Sequence, residues 1–288
     1  MPEGIRSKEL VCPAKINLFL KVGPRRADGY HEVFTLMQPV SLYDRVVVTV
    51  AGGSGIEVVC GDPRVPSGRD NIVWTAAERF LKASGKEAKV VIDVEKKIPL
   101  GAGLGGGSSD AAGVLMALNE LFSFPLSDRE LTSVAAECGS DVPFFLVRGA
   151  AIARGRGERV EKIELPEYYY ILVNPGFTLS TAKVYHTFDL TERAKSNILN
   201  SFQVSIKAKA DLLRYMENDL EEAVLESYPE VGYLKEVLKE AGAEAALMSG
   251  SGPTVFGVFF DKEKAEAARR AVIETVPPSM KVFSVRGL

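Results

Sequence analysis

Alternating hydrophobic and polar residues predict β-strands in the first half of the chain. The segments ELVCPAKINLFLKV (9–22), DRVVVTV (44–50) and KVVIDVE (89–95) are rich in β-branched residues, which favour strands. We also predict strands in the apolar runs at 142–147 and 150–153. The first half is therefore expected to contain a sheet.

Apolar residues spaced by three and four positions predict helices between these strands. Residues 70–83 show this spacing and are followed by Gly85, a typical helix stop. Ser127 and Glu130 form a capping-box pattern that opens another helix, which Gly139 is expected to end. A helix between these two carries one apolar stripe, made of Val114, Leu115, Leu118, Leu121 and Phe122.

The pattern restarts near residue 166. Strands are predicted at 168–173, 245–248, 254–260 and 281–285, and helices at 208–226, 230–241 and 262–274. This order is typical of a split β-α-β module of ferredoxin-like type with an extra pair of helices. We therefore predict an α+β protein with two domains, at 1–165 and 166–288.

Composition and charge narrow the classes of partner. The 288 residues carry a net charge of −3, which leaves no basic excess for binding nucleic acid. Cys12, Cys60 and Cys138 form no C-x-x-C pair, and no apolar run approaches the length of a membrane span. We expect a cytoplasmic protein that is a monomer or weak homodimer, with a small-molecule substrate, no nucleic-acid partner and no membrane association.

The glycine-rich segment PLGAGLGGGSS (99–109) indicates an anion-binding loop. Glycine lets backbone N–H groups approach a ligand closely, and a helix N-terminus favours phosphate. We expect Ser108 and Ser109 at the N-cap of the helix that follows, and we expect a Cβ at Gly103 to block the approach of the ligand. A flexible linker is the alternative, but a strand ends just before the segment and a helix starts just after it.

Three familiar nucleotide-binding patterns do not fit this segment. Gly101, Gly103 and Gly106 match G-x-G-x-x-G, but no second strand ends in an acidic residue about twenty positions later. The H-R-D and D-F-G triplets of protein kinases do not occur, and the segment ends in Gly-Ser-Ser without the lysine of a Walker loop. Any lysine that assists phosphate binding must come from another element.

Several motifs resemble a known family. The segments at 99–112, PAKINLFL (13–20) and SGSGPTVFG (249–257) resemble the three motifs of the galactokinase, homoserine kinase, mevalonate kinase and phosphomevalonate kinase (GHMP) superfamily. More narrowly, PAKINLFL together with RADGYHEV (26–33) and GSDVPFF (139–145) resembles the diphosphocytidyl-methylerythritol kinases of non-mevalonate isoprenoid biosynthesis.

The resemblance implies a fold and an activity. It implies a ribosomal-S5-domain-2-like N-terminal domain and a ferredoxin-like C-terminal domain, with the substrate in the cleft between them. It also implies transfer of phosphate from ATP, with Mg²⁺, to the 2-hydroxyl of diphosphocytidyl-methylerythritol. The sequence does not identify the Mg²⁺ ligand, and Ser109 is one candidate. The implied ATP-binding loop consists of Pro99, Leu100, Gly101, Ala102, Gly103, Leu104, Gly105, Gly106, Gly107, Ser108 and Ser109.

Lys15 and Asp141 are the candidate catalytic residues. Strand alternation puts Lys15 and Asn17 on one face, and the pattern alone favours an ordinary solvated face. Asp141 precedes Val142-Pro143, where a turn residue is an equal alternative. The resemblance implies instead that Lys15 is the active-site lysine and that Asp141 accepts the proton of the substrate hydroxyl.

Further roles also follow only from the resemblance. Tyr30 and Tyr185 would close on the two faces of cytosine, although Tyr185 fits a core residue at the start of a helix equally well. His31 would meet the polar edge of the base, although an isolated histidine is more often structural. Asn17 and Thr181 are expected to contact the substrate.

Two more residues are expected at ATP. Asn71 would lie near the adenine, although its position equally fits a helix N-cap, and Lys96 would approach a phosphate unless it is merely solvated.

Three alternatives stay open from the sequence. A homoserine or mevalonate kinase would not need the pyrimidine-reading residues Asn17, Tyr30 and His31. A ligand sensor without activity would not need both Lys15 and Asp141. A dinucleotide oxidoreductase lacks its acidic partner residue. The sequence assigns no role to residues 186–210.

Overall fold

Two compact units make up the protein, whose computed structural model describes residues 4–191 and 204–288. The first unit is formed by Met1–Ala14, Leu42–Ile98 and Gly105–Arg148, and the second by Lys15–Ser41, Pro99–Leu104 and Gly149–Leu288. The first two strands of the chain each contribute residues to both units. The predicted domain boundary between residues 165 and 166 stays a prediction.

The elements follow one another in a mixed α+β order. The strands are β1 (Arg6–Arg25), β2 (His31–Ala51), β3 (Gly55–Cys60), β4 (Lys89–Glu95), β5 (Ala151–Gly155), β6 (Arg159–Lys162), β7 (Tyr169–Asn174), β8 (Ala245–Met248), β9 (Val255–Phe259) and β10 (Lys281–Arg286). The helices are α1 (Ile72–Ser84), α2 (Gly106–Leu121), α3 (Asp128–Cys138), α4 (Val142–Leu146), α5 (Thr181–Phe188), α6 (Glu221–Leu225), α7 (Pro229–Glu240) and α8 (Lys262–Thr275), with a 3₁₀ turn at Lys209–Arg214.

In the first unit, a helical layer is built around α2. Helices α1 and α4 both pack against α2, and α3 packs against α1 and α4. Residues 109–115 of α2 are all buried, so this helix is surrounded by protein rather than lying at the surface. Strand β4 pairs in parallel with β3 and antiparallel with the second part of β2, from Arg45 opposite Glu95 to Ala51 opposite Lys89.

In the second unit, a four-stranded antiparallel sheet has the order β10-β7-β9-β8. Helix α7 packs on β8 and β9, and α8 packs on β7 and β10, around a core that includes Ile171, Met248 and Phe259. This is the ferredoxin-like arrangement predicted from the sequence, and the α+β class is confirmed. The same unit also contains β5, which pairs with β6 and with the first part of β2.

Two predicted elements are wrong. The run at 142–147 forms helix α4 instead of a strand, because periodicity cannot assign a short buried apolar run and Pro143 is well tolerated in a first helical turn. The helix predicted at 208–226 is broken into the 3₁₀ turn and α6, since residues 217–219 instead bond to β1. Strands β3 and β6 and helix α5 were not predicted.

Among the described helices, none combines the length and the apolar character needed to cross a bilayer.

Candidate active site

The glycine-rich segment begins in the second unit, where its carbonyl groups are held by protein donors. Gly101 and Gly103 have φ values of +57° and +75°, in the left-handed region that favours glycine. The carbonyl oxygens of Ala102, Gly103 and Leu104 accept hydrogen bonds from Thr254 N (3.3 Å), Ser249 Oγ (3.0 Å) and Lys15 N (2.9 Å). The carbonyl side of the segment is therefore fixed.

The N–H side of the same segment is unused. In the part of the chain that the structure describes, the backbone N–H groups of residues 103–108 donate to no protein acceptor. Those of Gly106, Gly107 and Ser108 are the orphan donors of the first turn of α2. Such a run of donors at a helix N-terminus is suited to bind an anion, phosphate above all.

Helix α2 begins earlier than the sequence predicted. Its N-cap is Gly105, with φ +68°, and not Ser108 or Ser109. The two serines lie inside the first turns, because Gly106 and Gly107 already adopt helical geometry. The Ser109 hydroxyl is buried and has no hydrogen-bond partner among the described residues.

A second glycine-rich segment, residues 249–253, packs against the first within the second unit. A Cβ on Gly103 would overlap the carbonyl oxygen of Ser249 and lie 3.0 Å from Gly252 N. The absence of a side chain at Gly103 is therefore required by the protein itself. From the sequence, the glycine was expected to make room for a ligand; this contact shows that it makes room for Ser249.

Lys15 and Asn17 are buried side by side on β1, each only 4% exposed. Lys15 Nζ donates to Asn17 Oδ1 at 2.6 Å, and Asn17 Nδ2 donates to Thr35 Oγ1 at 2.9 Å. The solvated-face interpretation of this pair is wrong, because both side chains are buried. The opposite face of β1, from Ala14 to Leu20, is buried as well. A Cβ on Gly250 would lie 3.2 Å from Lys15 Nζ, so the lysine borders the second glycine segment.

Lys96 is enclosed in the first unit by two carboxylates. Its ammonium group donates to Asp44 Oδ2 and, at 2.7 Å, to Asp110 Oδ2, and all three side chains are nearly inaccessible. A Cβ on Gly106 would lie 3.2 Å from Lys96 Nζ, which puts this charge directly below the first turn of α2. The solvated interpretation of Lys96 is wrong, and its contact with a phosphate stays a prediction.

The buried group alters the proton affinities of its members. Burial raises the pKa of Asp110 to about 7, with Lys96 opposing the rise and Asp44 adding to it. Burial alone would lower the pKa of Lys96, but the charges of Asp110 and Asp44 outweigh it, so its pKa is raised. Lys96 therefore stays charged, whereas Asp110 gains or loses its proton near neutral pH.

Two of the predicted nucleobase-reading residues are adjacent in the second unit. The His31 and Tyr185 ring centroids are 5.4 Å apart. His31 Nδ1 lies 3.0 Å from Gly23 O, and Nε2 lies 3.1 Å from Asp189 Oδ1. Because Gly23 O can only accept a hydrogen bond, His31 Nδ1 is the donor in this contact.

Tyr30 is half exposed, at 52%, and one of its faces is covered by the Arg156 guanidinium, 4.9 Å from the ring centroid. Thr181 is exposed and shares a hydrogen bond of 2.9 Å with Ser251, in the second glycine segment.

The remaining predicted residues lie at helix starts in the first unit. Asn71 is the N-cap of α1, with Oδ1 accepting from Val73 N at 3.0 Å and Nδ2 donating to Pro66 O at 2.7 Å. Its predicted proximity to adenine is untested. Asp141 is partly exposed and immediately precedes α4.

The structure thus groups the candidates into two sets. The second unit brings together Lys15, Asn17 and the first part of the glycine-rich segment, and separately His31 and Tyr185; the first unit brings together Lys96 and the start of α2. The pairing of Lys15 with Asp141 stays a prediction.

Sequence reasoning assigned no role to Ser249, Thr35 or Asp44. Ser249 lies within the motif SGSGPTVFG (249–257), so the sequence could indicate that it lies near the site but not what it contacts. No sequence signal indicates Thr35 or Asp44.

Comparisons with known proteins agree with the motifs. Residues 71–149 match the model of the GHMP kinases N terminal domain, and residues 202–277 match the GHMP kinases C terminal model. A relative from Citrifermentans bemidjiense named 4-diphosphocytidyl-2-C-methyl-D-erythritol kinase is 45% identical over 271 residues, covering 94% of this chain and 95% of its own. A relative of the same name from Geobacter sulfurreducens is 43% identical over 263 residues, covering 91% and 92%.

Solved structures give the same picture. A crystal structure of 4-(cytidine 5'-diphospho)-2C-methyl-D-erythritol kinase superposes with a TM-score of 0.78 at 35% identity, covering 98% of this chain and all of the other. A homoserine kinase from Cytophaga hutchinsonii superposes with a TM-score of 0.73, covering 96% and 94%, but at 20% identity it shows only the shared fold.

Proposed function

Because this chain belongs to the GHMP kinase family, we propose that it transfers the γ-phosphate of ATP to the 2-hydroxyl of 4-diphosphocytidyl-2-C-methyl-D-erythritol. The products are the 2-phosphate and ADP. The substrate is that of the relatives at 43–45% identity, and homoserine and mevalonate are disfavoured because the homoserine kinase compared is only 20% identical and a mevalonate kinase only 15%.

The observation that supports this activity is the run of backbone N–H groups at residues 103–108, which have no acceptor within the described ranges 4–191 and 204–288. Phosphoryl transfer requires little covalent chemistry from the protein and depends on positioning and charge stabilisation. Consecutive backbone donors at the start of α2 provide both for a triphosphate, without a Walker lysine.

Lys15 and Asp141 would carry the chemistry. Asp141 would accept the proton of the attacking 2-hydroxyl, and Lys15 would stabilise charge on that oxygen and on the transferred phosphate. Lys15 suits this role because it is already buried and oriented by Asn17 Oδ1. Interactions made mainly in the transition state raise kcat more than they lower KM.

The residues present fit a magnesium ion held largely by ATP. Among the described residues, no group of three or more His, Cys, Asp or Glu side chains could hold a metal by itself. Mg²⁺ commonly keeps several waters and binds substrate phosphates with few protein ligands. The candidate ligand is the Ser109 hydroxyl, which has no hydrogen-bond partner in the part of the chain that the structure describes. When bound, the ion neutralises charge on the β- and γ-phosphates.

The direct test is release of ADP in a coupled assay with diphosphocytidyl-methylerythritol, homoserine or mevalonate as acceptor. We expect turnover with the first only. Turnover with homoserine or mevalonate alone would overturn the proposed substrate.

Tyr30→Ala tests how the cytosine is held. Stacking contributes about 1–3 kcal/mol per base, so this variant should bind the cytidine substrate roughly 5- to 150-fold more weakly, with ATP-analogue affinity unchanged. Tyr233, 47% exposed on α7, provides the matched control, because Tyr233→Ala removes a similarly exposed ring elsewhere. Equal affinities in the two variants, measured by titration calorimetry, would contradict the role of Tyr30.

For location and assembly, the proposal is a cytoplasmic monomer or weak homodimer. Cys12, Cys60 and Cys138 are all free thiols, which is compatible with a reducing compartment. Sedimentation at several concentrations would measure the oligomeric state.

A further inference from the structure

Residues 217–219 are tied to the strand that carries the candidate catalytic lysine. Leu20 N donates to Glu217 O at 2.8 Å, and Asp219 N donates to Leu20 O at 2.9 Å. The fully buried Asp219 carboxylate accepts from Val22 N at 2.8 Å, and Lys21 forms an ion pair with Glu217. These contacts fix the segment to β1 five to seven residues after Lys15.

Asn218, in the middle of that segment, has its side chain turned to the second glycine segment. Its Nδ2 donates to Met248 O at 2.8 Å and to Gly250 O at 2.7 Å, while Oδ1 accepts from Leu220 N at 3.0 Å. The residue is 3% exposed. Both amide protons and the amide oxygen are therefore committed, and no side chain of another type offers two donors and one acceptor in this shape.

The segment that Asn218 holds contacts the first glycine segment and Lys15. Ser249 Oγ donates to Gly103 O at 3.0 Å, and the Cβ position of Gly250 lies 3.1 Å from Asn17 Oδ1 and 3.2 Å from Lys15 Nζ. One buried amide thus sets the separation between β1 and residues 248–250, on which the placement of Lys15 depends.

We propose that Asn218 is a positioning residue for phosphoryl transfer. It contacts neither ATP nor the acceptor, and acts by holding Ser249 and Gly250 against Gly103, Asn17 and Lys15. The proposal rests on the proposed function, because its catalytic readout is the same reaction.

Asn218→Ala removes both donors and leaves two buried carbonyls without a partner. Because small misplacements of reacting groups cost up to about 100-fold in rate, we expect kcat to fall about 10- to 100-fold. KM for ATP and for the cytidine substrate should stay within about threefold, since the loss is in transition-state geometry. The kinetics are measured well below the melting temperature of each variant.

Asn119 provides the matched control. It is 5% exposed in the first unit, and its amide similarly donates to Leu126 O at 3.0 Å and accepts from Leu126 N at 3.1 Å. Asn119→Ala should lower the melting temperature to a similar extent, yet leave kcat within about twofold of the parent. An equal loss of kcat in both variants, or a parent-like kcat in Asn218→Ala, would overturn the positioning role.

Asn218→Asp serves as the second variant if the alanine variant does not fold. It keeps the shape and the acceptor for Leu220 N, but turns a carboxylate oxygen toward the carbonyls of Met248 and Gly250. The same fall in kcat at constant KM is expected, and normal turnover by a folded Asn218→Asp protein would overturn the proposal.

Hydrogen exchange separates this inference from the proposed function, because it needs no substrate. The amides of Ser249, Gly252 and Thr254 are hydrogen-bonded, and peptides covering 249–254 should exchange faster in both Asn218 variants but not in Asn119→Ala. If the Asn218 variants exchange faster but the parent does not phosphorylate the cytidine substrate, the proposed function is rejected and the role of Asn218 in holding residues 249–254 is kept. Unchanged exchange would reject the role of Asn218.

Discussion

The two glycine-rich segments differ in what surrounds their backbones. In residues 249–253, the space that a side chain would fill is occupied by the protein: a Cβ on Gly252 would lie 2.5 Å from Met248 Sδ, and one on Gly250 would lie 3.1 Å from Asn17 Oδ1. In residues 103–108, the backbone N–H groups have no acceptor among the residues that the structure describes. Glycine enrichment alone therefore does not distinguish a segment that binds a ligand from one that packs.

At Gly103, packing against protein and a backbone N–H without an acceptor among the described residues occur in the same residue. Its N–H belongs to the unused run, but its Cβ position is filled by Ser249. Gly107, four residues later, is exposed, and a Cβ there would make only an ordinary contact of 3.4 Å with Ile72. Substitutions at these positions, and at the residues around them, can separate packing from ligand binding.

The largest effect is expected where neither glycine segment is touched. Asp141→Asn should lower kcat by about 10²–10⁴, because the proton acceptor is lost, with little change in substrate KM. Asp141 is partly exposed, so the melting temperature should hardly change. Steady-state kinetics and thermal unfolding measure both quantities.

Lys15→Met extends this test. This variant should lower kcat by a comparable factor. The double variant should lower kcat by less than the product of the two single factors, since the effects of residues that act as a unit are not additive. A near-normal kcat in Asp141→Asn would mean that the base lies elsewhere.

Gly103→Ala is expected to affect stability and activity together. The new methyl group would meet Ser249 O, and the residue would have to keep a φ of +75°. Strain of this kind costs roughly 1–3 kcal/mol, which corresponds to a fall of about 2–12 °C in melting temperature. A variant with the melting temperature of the parent would show that residues 249–253 move to accommodate the methyl group at little cost. The close packing at Gly103 would then not require glycine.

Gly107→Ala is expected to affect ligand binding alone. Alanine is favoured over glycine in a helix by about 0.5–1 kcal/mol, so the melting temperature should stay level or rise. Because a helical Cβ tilts toward the helix N-terminus, the methyl group should crowd the phosphates and raise the KM for ATP about 3- to 10-fold. Parent-like KM for ATP would indicate that the triphosphate does not approach the first turn of α2.

The smallest effect concerns the buried carboxylates below that turn. The folded-state pKa of Asp110 is raised to about 7, so the folded protein holds a proton that the unfolded chain releases near pH 4. The free energy of unfolding should therefore fall as pH rises from about 4 to 7 and level off above that range.

Asp110→Asn cannot ionise and should abolish this component. The melting temperature of the variant minus that of the parent should rise as pH rises from about 4 to 7, because only the parent loses this contribution. Asp93→Asn, at an exposed position on β4, is the control and should show a flat difference. A flat difference for Asp110→Asn would mean that the carboxyl is not held protonated.

The sequence could predict the parts of this structure that depend on local signals. The capping box at Ser127 and Glu130, the helix stop at Gly85 and the four strands expected after residue 166 are confirmed. Each depends on side chains that act on their own backbone within a few residues, or on a hydrophobic period.

Interactions over long sequence separations could not be predicted. Residues 217–219 break the helix expected at 208–226 because they bond to β1, and Asn218 also bonds to Met248 and Gly250, which lie 30 and 32 residues later. Lys96 is buried by Asp44, which lies 52 residues earlier, and no local pattern indicates that pairing. Residues 192–203, within the segment to which the sequence assigned no role, lie outside the described residues.

The rate at which the buried Cys12 thiol is alkylated can report local opening of the first unit. Its sulfur lies under the backbone of α2, where a Cβ on Gly113 would be 2.5 Å from Sγ, and burial raises the pKa of the thiol. A thiolate-directed alkylating reagent can therefore label Cys12 only while α2 is lifted from β1. The labelling rate of the peptide that contains Cys12, followed by mass spectrometry, would report how often that opening occurs. A nucleotide that binds the start of α2 would stabilise the closed form and lower the labelling rate by the same factor. The labelling rate would therefore measure nucleotide binding without any turnover.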